Sequence, residues 1–224
     1  MKRSEINRNI EEAKAFFKTM NFNLPSWAFW KPEDWKGRRQ ELKEILECGL
    51  GWDITDFGSD NFEKMGLINF NLRNGLVNKS IKTYCEKIII VKENQIPPLH
   101  THRDKIEDII NRGGGDLAIE LYNSDNDFQL TDHSVTVNVD AIPHTLPAGG
   151  KVVLTPGQSV FLVPGVFHFF YGEEGKGIVL VGEVSSVNDD NVDNIFVDGN
   201  PRFPEIEEDE QPLHLLINDY PRYV

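Results

Sequence analysis

The stretch His100-Thr-His-Arg-Asp-Lys-Ile-Glu107 decides the fold and the chemistry of this chain. On a β-strand, the single residue between His100 and His102 places both imidazoles on the same face. Glu107 follows across a turn and can return to that face on the next strand, and His168 comes from a later strand. Three imidazoles and one carboxylate suit Mn²⁺, Fe²⁺, Co²⁺, Ni²⁺ or Zn²⁺. We therefore predict that these four side chains bind one divalent cation and leave positions open for water or substrate.

The remaining histidines define the alternative to a metal site. A lone histidine on a strand is most often an ordinary polar residue, and His133, His144 and His214 are assigned to the surface or the core on that ground. Three of the six histidines fall at the positions described above, and this concentration favours a metal site.

Short runs rich in β-forming residues dominate the chain after residue 53. Turn signals such as Asn74-Gly75, Gly113–Gly115 and Pro156-Gly157 separate them. Many short strands at this spacing predict a mainly β fold, a jelly-roll barrel or sandwich. The predicted strands are Gly66–Arg73, Tyr84–Val91, Gln95–His102, Asp116–Asn123, Val135–Val139, Lys151–Leu154, Ser159–Val163, Phe167–Phe170 and Gly177–Val184.

The segments on either side of the barrel differ from it in pattern. Residues 5–20 predict an amphipathic helix capped by Ser4. Pro32 predicts the start of a second helix that ends near Cys48 and Gly49. We therefore divide the chain into a helical extension (1–52), a barrel (53–198) and a C-terminal tail (199–224), in which Leu213–Ile217 is expected to form an ordered strand or clamp.

Composition limits the partners and the compartment. The formal net charge of −13 repels phosphate backbones, so nucleic acid is not expected as a partner. No apolar run is long enough for a membrane span, and the polar N-terminus lacks a signal-peptide pattern. Cys48 and Cys85 suggest neither a disulfide framework nor a thiolate metal site. These features favour a cytoplasmic protein of ample size for a buried core.

The spacing of the metal-binding residues resembles the two sequence motifs of cupins. His100, His102 and Glu107, followed by Gly113-Gly114, are similar to the first motif, and Gly157 with Pro164-Gly165-x-x-His168 is similar to the second. The chain departs from the pattern at Asn94, where a glycine is expected, in the adjacent Pro164-Gly165, and at Gly172, where an asparagine is expected. The departures affect turns and leave the ligands in place. The resemblance implies a cupin barrel with N-terminal helices.

A closer resemblance covers nearly the whole chain. The strings Leu50–Gly58, Glu107–Gly115 and Gly182–Asp190 are similar to those of the D-lyxose isomerase family, a group of cupin-type ketol-isomerases. The resemblance implies a Mn²⁺-dependent homodimer that acts on a monosaccharide, and the sequence leaves open whether the sugar carries a phosphate. The implied reactions are D-lyxose to D-xylulose and D-mannose to D-fructose.

Such a reaction needs a proton acceptor beside the bound sugar. Glu183 is the first candidate base because it is in register with Val179 and Val181, and inward burial is expected to raise its pKa. Lys105, between the metal ligands, is a candidate proton carrier or donor to a sugar oxygen. Candidate binders of the sugar hydroxyls are Asp190, Asp193 and Glu120. For each, a solvated or exterior position is the alternative.

Three alternatives remain open at this point. A cupin with a histidine-rich site can be an Fe²⁺-dependent dioxygenase, or a protein that binds a metal or sugar without catalysis. Within the isomerase hypothesis, the sequence does not separate proton transfer from a metal-assisted hydride shift.

Overall fold

The computed structural model describes residues 1–190 and 192–224. Its α-helices are α1 (Arg3–Thr19), α2 (Pro32–Trp35), α3 (Lys43–Glu47) and α4 (Tyr220–Tyr223), with short 3₁₀ helices at Ser26–Phe29 and Ile217–Asp219. Its strands are β1 (Gly51–Thr55), β2 (Leu67–Arg73), β3 (Tyr84–Val91), β4 (His100–His102), β5 (Glu107–Gly114), β6 (Leu117–Ser124), β7 (Leu130–Thr131), β8 (Val135–Val139), β9 (Ile142–Leu146), β10 (Gly150–Leu154), β11 (Ser159–Leu162), β12 (Phe167–Gly172), β13 (Val179–Ser186) and β14 (Asn194–Phe196).

These strands form two antiparallel sheets that enclose the core. One sheet has the order β1-β2-β3-β13-β5-β11-β8-β9, and the other has the order β10-β6-β12-β4-β14, with β7 paired to the end of β6. Alternation along the strands builds the interior. In β13, for example, Val179 and Val181 join the core between the sheets, whereas Leu180 joins a second core outside the large sheet. The mainly β prediction is confirmed.

Helix α1 covers the outer face of the large sheet. Its apolar stripe of Ile6, Ile10, Ala13 and Phe17 belongs to the same core as residues of β1, β2 and β3. The predicted helix is present, but its cap is not: the helix begins at Arg3 with Lys2 at the N-cap. Ser4 instead donates to Asp209 Oδ2 at 2.7 Å, because the tail lies against the start of the helix.

The second predicted helix is wrong in extent. It divides into α2 and α3, and Gly37 lies between them with a φ of 72° that an L residue rarely adopts. The predicted strand Gln95–His102 is shorter, since β4 begins only at His100. Pro97 and Pro98 lack the N–H groups that a ladder needs. Strands β1, β5, β7, β9 and β14 were not among the predicted strands, although Glu107 was expected on a strand after His102.

The C-terminal tail returns to the large sheet and α1. Leu215 and Leu216 are buried, and Leu216 forms a bridge with Trp52 of β1. The segment Leu213–Ile217 is therefore ordered and packs against the large sheet and α1, as predicted for a clamp, although it does not form a regular strand. Strand β1 crosses residue 52, and the division of the chain into three parts stays a prediction. No helix in the described ranges is long and apolar enough to cross a membrane.

Arg3 joins the start of the chain to its end. Its guanidinium is fully buried and makes paired hydrogen bonds to Glu208 and Asp219 at 2.8–3.0 Å. We expect Arg3→Ala to lower the free energy of unfolding by about 3–5 kcal/mol, because it leaves buried carboxylate charge without a partner. Chemical denaturation measures this. The control is Arg8→Ala on the exposed face of α1, for which we expect less than about 1 kcal/mol. Equal, small losses for both variants would contradict the assigned role of Arg3.

Candidate metal centre and active site

The three histidines of the motif meet inside the barrel. His100 and His102 lie on β4, and His168 on β12 pairs directly with His100. One ring nitrogen from each of the three lies within 4.8 Å of the others. The pairing of β4 with β12 therefore brings together residues that are distant in the sequence.

Glu107 completes the group from the first position of β5. Its Oε1 lies 3.2 Å from His102 Nε2 and 3.1 Å from His168 Nε2. The structure thus brings together all four predicted ligands, on strands β4, β5 and β12.

The outer nitrogens of the histidines contact oxygen atoms. His100 Nδ1 lies 2.9 Å from the carbonyl of Pro98, and His168 Nδ1 lies 3.2 Å from that of Val166. His102 Nδ1 lies 3.3 Å from Asp193 Oδ2. Metal-binding histidines commonly have such partners, which fix the ring and leave Nε2 directed at the cation.

The buried polar atoms fit a cation at this place. Among the described residues, His102 Nδ1, His102 Nε2 and Glu107 Oε1 are buried and make no hydrogen bond, although neighbouring atoms lie within 3.3 Å. Buried polar atoms without partners are costly. A divalent cation held by His100, His102, Glu107 and His168 would satisfy the inward-facing atoms, so the donor set fits the expected metal.

A row of alternating charges leads away from the histidines along the cavity. Lys105 Nζ lies 2.9 Å from Glu107 Oε2 and 2.9 Å from Glu183 Oε1. Lys87 Nζ lies 3.3 Å from Glu183 Oε1 and 3.8 Å from Asp190 Oδ1. Arg202 Nη2 lies 3.5 Å from Asp190 Oδ2, and Arg202 also pairs with Asp53. We call this set the ion-pair row, and its order is Glu107, Lys105, Glu183, Lys87, Asp190, Arg202 and Asp53.

The ion-pair row has an excess of negative charge. It contains three cationic and four anionic groups, whose side chains are at most 10 % exposed. Buried charge is stable only when it is compensated. The excess carboxylate is a second reason why a cation fits beside Glu107.

The surroundings hold Glu183 in its ionised form. Burial raises its pKa, but Lys105 and Lys87 lower it by more, so the pKa of Glu183 lies below its ordinary value. The sequence-based expectation of a raised pKa is therefore wrong. For Lys105, burial is outweighed by Glu107 and Glu183, and its pKa is raised. An ionised carboxylate can accept a proton, so Glu183 is in the form that a base requires.

His100 is held in its neutral form. Burial, followed by the neighbouring His168 and His102, lowers the pKa of His100 well below its ordinary value. The pKa of Glu107 is also well below its usual range, because Lys105 and His102 outweigh the effect of burial. A neutral imidazole and an ionised carboxylate are the forms that bind a metal.

The four predicted ligands and the ion-pair row, except Asp53, line one cavity of about 50 Å³. Phe57, Phe170 and Phe196 supply apolar walls, and Asn69 adds an amide. The aromatic residues come from three different parts of the chain, and only Phe170 lies in a predicted strand. The cavity therefore combines the predicted cation ligands, a buried carboxylate and hydrogen-bonding groups.

The predicted site residues divide into those in the cavity and those outside it. Glu183, Lys105 and Asp190 line the cavity with the four ligands. Asp193 lies instead beside His102 and accepts from the Asp104 amide at 3.0 Å. Glu120 is not among the lining residues, and it accepts a hydrogen bond from the Tyr171 hydroxyl at 3.1 Å. It alternates with the core residues Ile119 and Leu121, so it faces away from the interior.

Lys87 and Arg202 are site residues that the sequence analysis missed. Lys87 carried a usable signal, since it lies two and four residues before the core residues Ile89 and Val91 on β3 and therefore shares their inward face. Arg202 carried none, because it lies in the tail and reaches the cavity only through tertiary folding.

The chain matches a family model and two curated proteins over nearly its whole length. The family model described as D-lyxose isomerase matches residues 1–220. The chain is 44% identical over 227 residues to the D-lyxose/D-mannose isomerase of Serratia proteamaculans and 43% identical over 226 residues to that of Escherichia coli O157:H7. Both alignments cover 100% of each chain.

Solved structures with a similar fold are more distant in sequence. L-ribose isomerase from Cellulomonas parahominis with L-ribose has a TM-score of 0.59 at 16% identity, and that from Geodermatophilus obscurus has 0.61 at 15%. Each match covers 92% of this chain and 98% of the other. At this identity the likeness concerns the fold alone, and it confirms the predicted cupin barrel. By the family model and the curated relatives, the chain belongs to the D-lyxose isomerase family.

Proposed function

We propose that this protein is a metal-dependent aldose–ketose isomerase that converts D-lyxose to D-xylulose and D-mannose to D-fructose. The observation that carries the proposal is the contact of Lys105 with both Glu107 and Glu183, at 2.9 Å each. It places a buried, ionised carboxylate next to the proposed metal ligands in one cavity. Membership of the D-lyxose isomerase family and the names of the curated relatives support the choice of sugars.

The proposed reaction moves a carbonyl group from C1 to C2. Glu183 takes the proton from C2 and returns it to C1, which a single carboxylate within reach of both carbons can do, while the hydroxyl proton of O2 is transferred to O1. His100, His102, Glu107 and His168 would hold a divalent cation, which would supply Lewis-acid stabilisation of the negative charge that develops on the sugar oxygens. Lys105 keeps Glu183 ionised and holds it in place through the 2.9 Å contact. The phenylalanine walls keep bulk water away from the reacting carbons.

The charges in the cavity favour a neutral sugar over a sugar phosphate. Each of the three cations in the ion-pair row already contacts two carboxylates. A phosphate group would have to displace one of those carboxylates, and burial of uncompensated charge is costly. Hydroxyl groups are both donors and acceptors, so they can be inserted between ammonium and carboxylate groups without a change of charge.

The test is turnover of a panel of aldoses by metal-reconstituted protein under anaerobic conditions. We expect ketose formation from D-lyxose and D-mannose with Mn²⁺, and at least about 100-fold lower kcat/KM for D-mannose 6-phosphate because its phosphate lacks a counter-charge. Absence of turnover for every aldopentose and for D-mannose would remove the isomerase proposal. Iron-dependent oxygen uptake without ketose formation would favour the dioxygenase alternative.

Manganese as the cation and the homodimeric assembly are further parts of the proposal. The histidine-rich donor set suits several borderline divalent ions, so metal analysis of the purified protein decides between them. Light scattering of the protein in solution measures the assembly. A cytoplasmic location stays a prediction from the sequence.

A further inference from the structure

Arg202 joins the C-terminal tail to the active-site cavity. It lines the cavity, and its guanidinium lies 5.8 Å from the centre of the Phe57 ring and 4.9 Å from that of Phe203. Its hydrogen bonds to Asp53 and Asp190 use three of its five N–H donors. Donor capacity therefore remains for a ligand at this end of the cavity.

The position of Arg202 is fixed without help from the metal-binding strands. Its backbone carbonyl accepts from Thr55 Oγ1 at 2.9 Å, and its side chain pairs with Asp53, so both anchors lie on β1. The histidines lie on β4 and β12, in the other sheet. A change at Arg202 can therefore alter one end of the cavity and leave the cation site intact.

Arg202 lies at the far end of the ion-pair row from the proposed position of the reacting carbons. Glu107, Glu183 and Lys87 lie on the neighbouring strands β5, β13 and β3, each about 4.8 Å apart. Lys87 is thus about 10 Å from Glu107 in the sheet, and Arg202 lies beyond Lys87 and Asp190. A sugar with C1 and C2 at the histidines extends its other end toward Asp190 and Arg202. A six-carbon sugar reaches one carbon further than a five-carbon sugar.

The cavity is too small to accept a sugar in the conformation described. About 50 Å³ holds only a few water molecules. Substrate binding must therefore rearrange groups that line it, and several of the lining residues lie outside the strands of the two sheets. These include Arg202 and Asp190, whose 3.5 Å contact a terminal hydroxyl can bridge by accepting from the guanidinium and donating to the carboxylate.

We propose that Arg202, together with Asp190, binds the terminal hydroxyl group of the sugar and so determines the preference between five-carbon and six-carbon substrates. The proposal rests on the isomerase function proposed above and adds a residue that sets its specificity. Arg202 acts on binding and is remote from the proton transfer.

The experiment compares Arg202→Met with wild type on D-mannose and D-lyxose. A lost hydrogen bond from a charged donor lowers binding about 10–100-fold. We expect a loss of this size in kcat/KM for D-mannose, mainly through KM, with a smaller loss for D-lyxose. Inhibition by the unreactive alditols D-mannitol and D-arabinitol provides a readout without turnover, and D-mannitol should lose more affinity. Mn²⁺ affinity, measured by calorimetry, should remain at the wild-type value.

Two further variants separate specificity from folding. Arg202→Lys keeps the charge, and we expect it to recover part of the D-mannose affinity. Arg222→Met is the matched control, since Arg222 lies in the same tail with its side chain 65 % exposed and contacts Glu208. The proposal would be overturned by equal losses for both sugars and both alditols, or by a fall confined to kcat. It would also be overturned if Arg202→Lys had a D-mannose preference as low as that of Arg202→Met. Absence of aldose turnover by the wild-type protein would instead overturn the proposed isomerase function itself.

Discussion

His168→Ala is expected to abolish isomerase activity by weakening metal binding more than about 100-fold. Loss of a residue that merely supports a metal ligand costs 10–100-fold, and His168 is itself one of the four predicted ligands. Its Nε2 lies 3.1 Å from Glu107 Oε1, so the substitution also removes a neighbour of the buried carboxylate. Calorimetric titration with Mn²⁺ and a D-lyxose assay measure the two effects.

The control for His168→Ala is His144→Ala. His144 is an exposed residue of β9 outside the cavity, and its loss should alter neither metal affinity nor turnover. Circular dichroism of both variants checks the fold. A correctly folded His168→Ala protein with full metal affinity and full activity would refute the assignment of His168.

Glu183→Gln is expected to lower kcat by about 10²–10⁴-fold, because an amide cannot accept the proton from C2. The shape of the side chain is kept, and its neighbours Lys105 and Lys87 remain. Since Glu183 is not a metal ligand, Mn²⁺ affinity should change far less than kcat. The measurements are steady-state kinetics, solvent hydrogen exchange at C2 and metal titration.

Glu173→Gln is the matched control for this variant. Glu173 lies in the turn after β12, pairs with Lys151 at the surface and is absent from the cavity lining. We expect wild-type kinetics from it. Retention of full kcat by Glu183→Gln would assign the proton transfer to another group, and isomerisation by Glu183→Gln without any exchange at C2 would favour the hydride-shift mechanism.

The convergence of the four predicted ligands was predictable because local spacing specifies it. The residue between His100 and His102 fixes one face of β4, and the turn before Glu107 returns the chain to that face. Period-two alternation also gave the inward direction of Glu183 through Val179 and Val181. These inferences need only a strand and its neighbours.

The remainder of the site depends on tertiary contacts. The lowered pKa of Glu183 comes from Lys105 and Lys87, whose approach is set by sheet pairing, so reasoning from burial alone gave the wrong direction. Arg202 reaches the cavity because the tail folds back along β1. No periodicity in the sequence encodes such a return. Glu120 was predicted to bind the sugar but lies outside the cavity. It is a carboxylate in an apolar strand, and the sequence does not show which face of that strand the barrel encloses.

For the secondary structure too, elements with a clear local pattern were predicted and elements without one were missed. Strong alternation located most strands of the barrel, whereas the helix predicted from Pro32 was too long because Gly37 adopts a left-handed conformation there. Strand β9, with mostly exposed residues and Pro143, lacks the apolar alternation that marks a strand. Strand β1 is buried on both faces and carries Asp53, which hides its pattern.

The most direct test of the account is the position of the metal in a crystal of the Mn²⁺-loaded protein, located by anomalous scattering. The account predicts one strong peak per chain, coordinated by His100, His102, Glu107 and His168, with Glu183 and Lys105 next to it but outside the coordination sphere. A peak at another place, or no ordered Mn²⁺ in a protein that still isomerises D-lyxose, would contradict it.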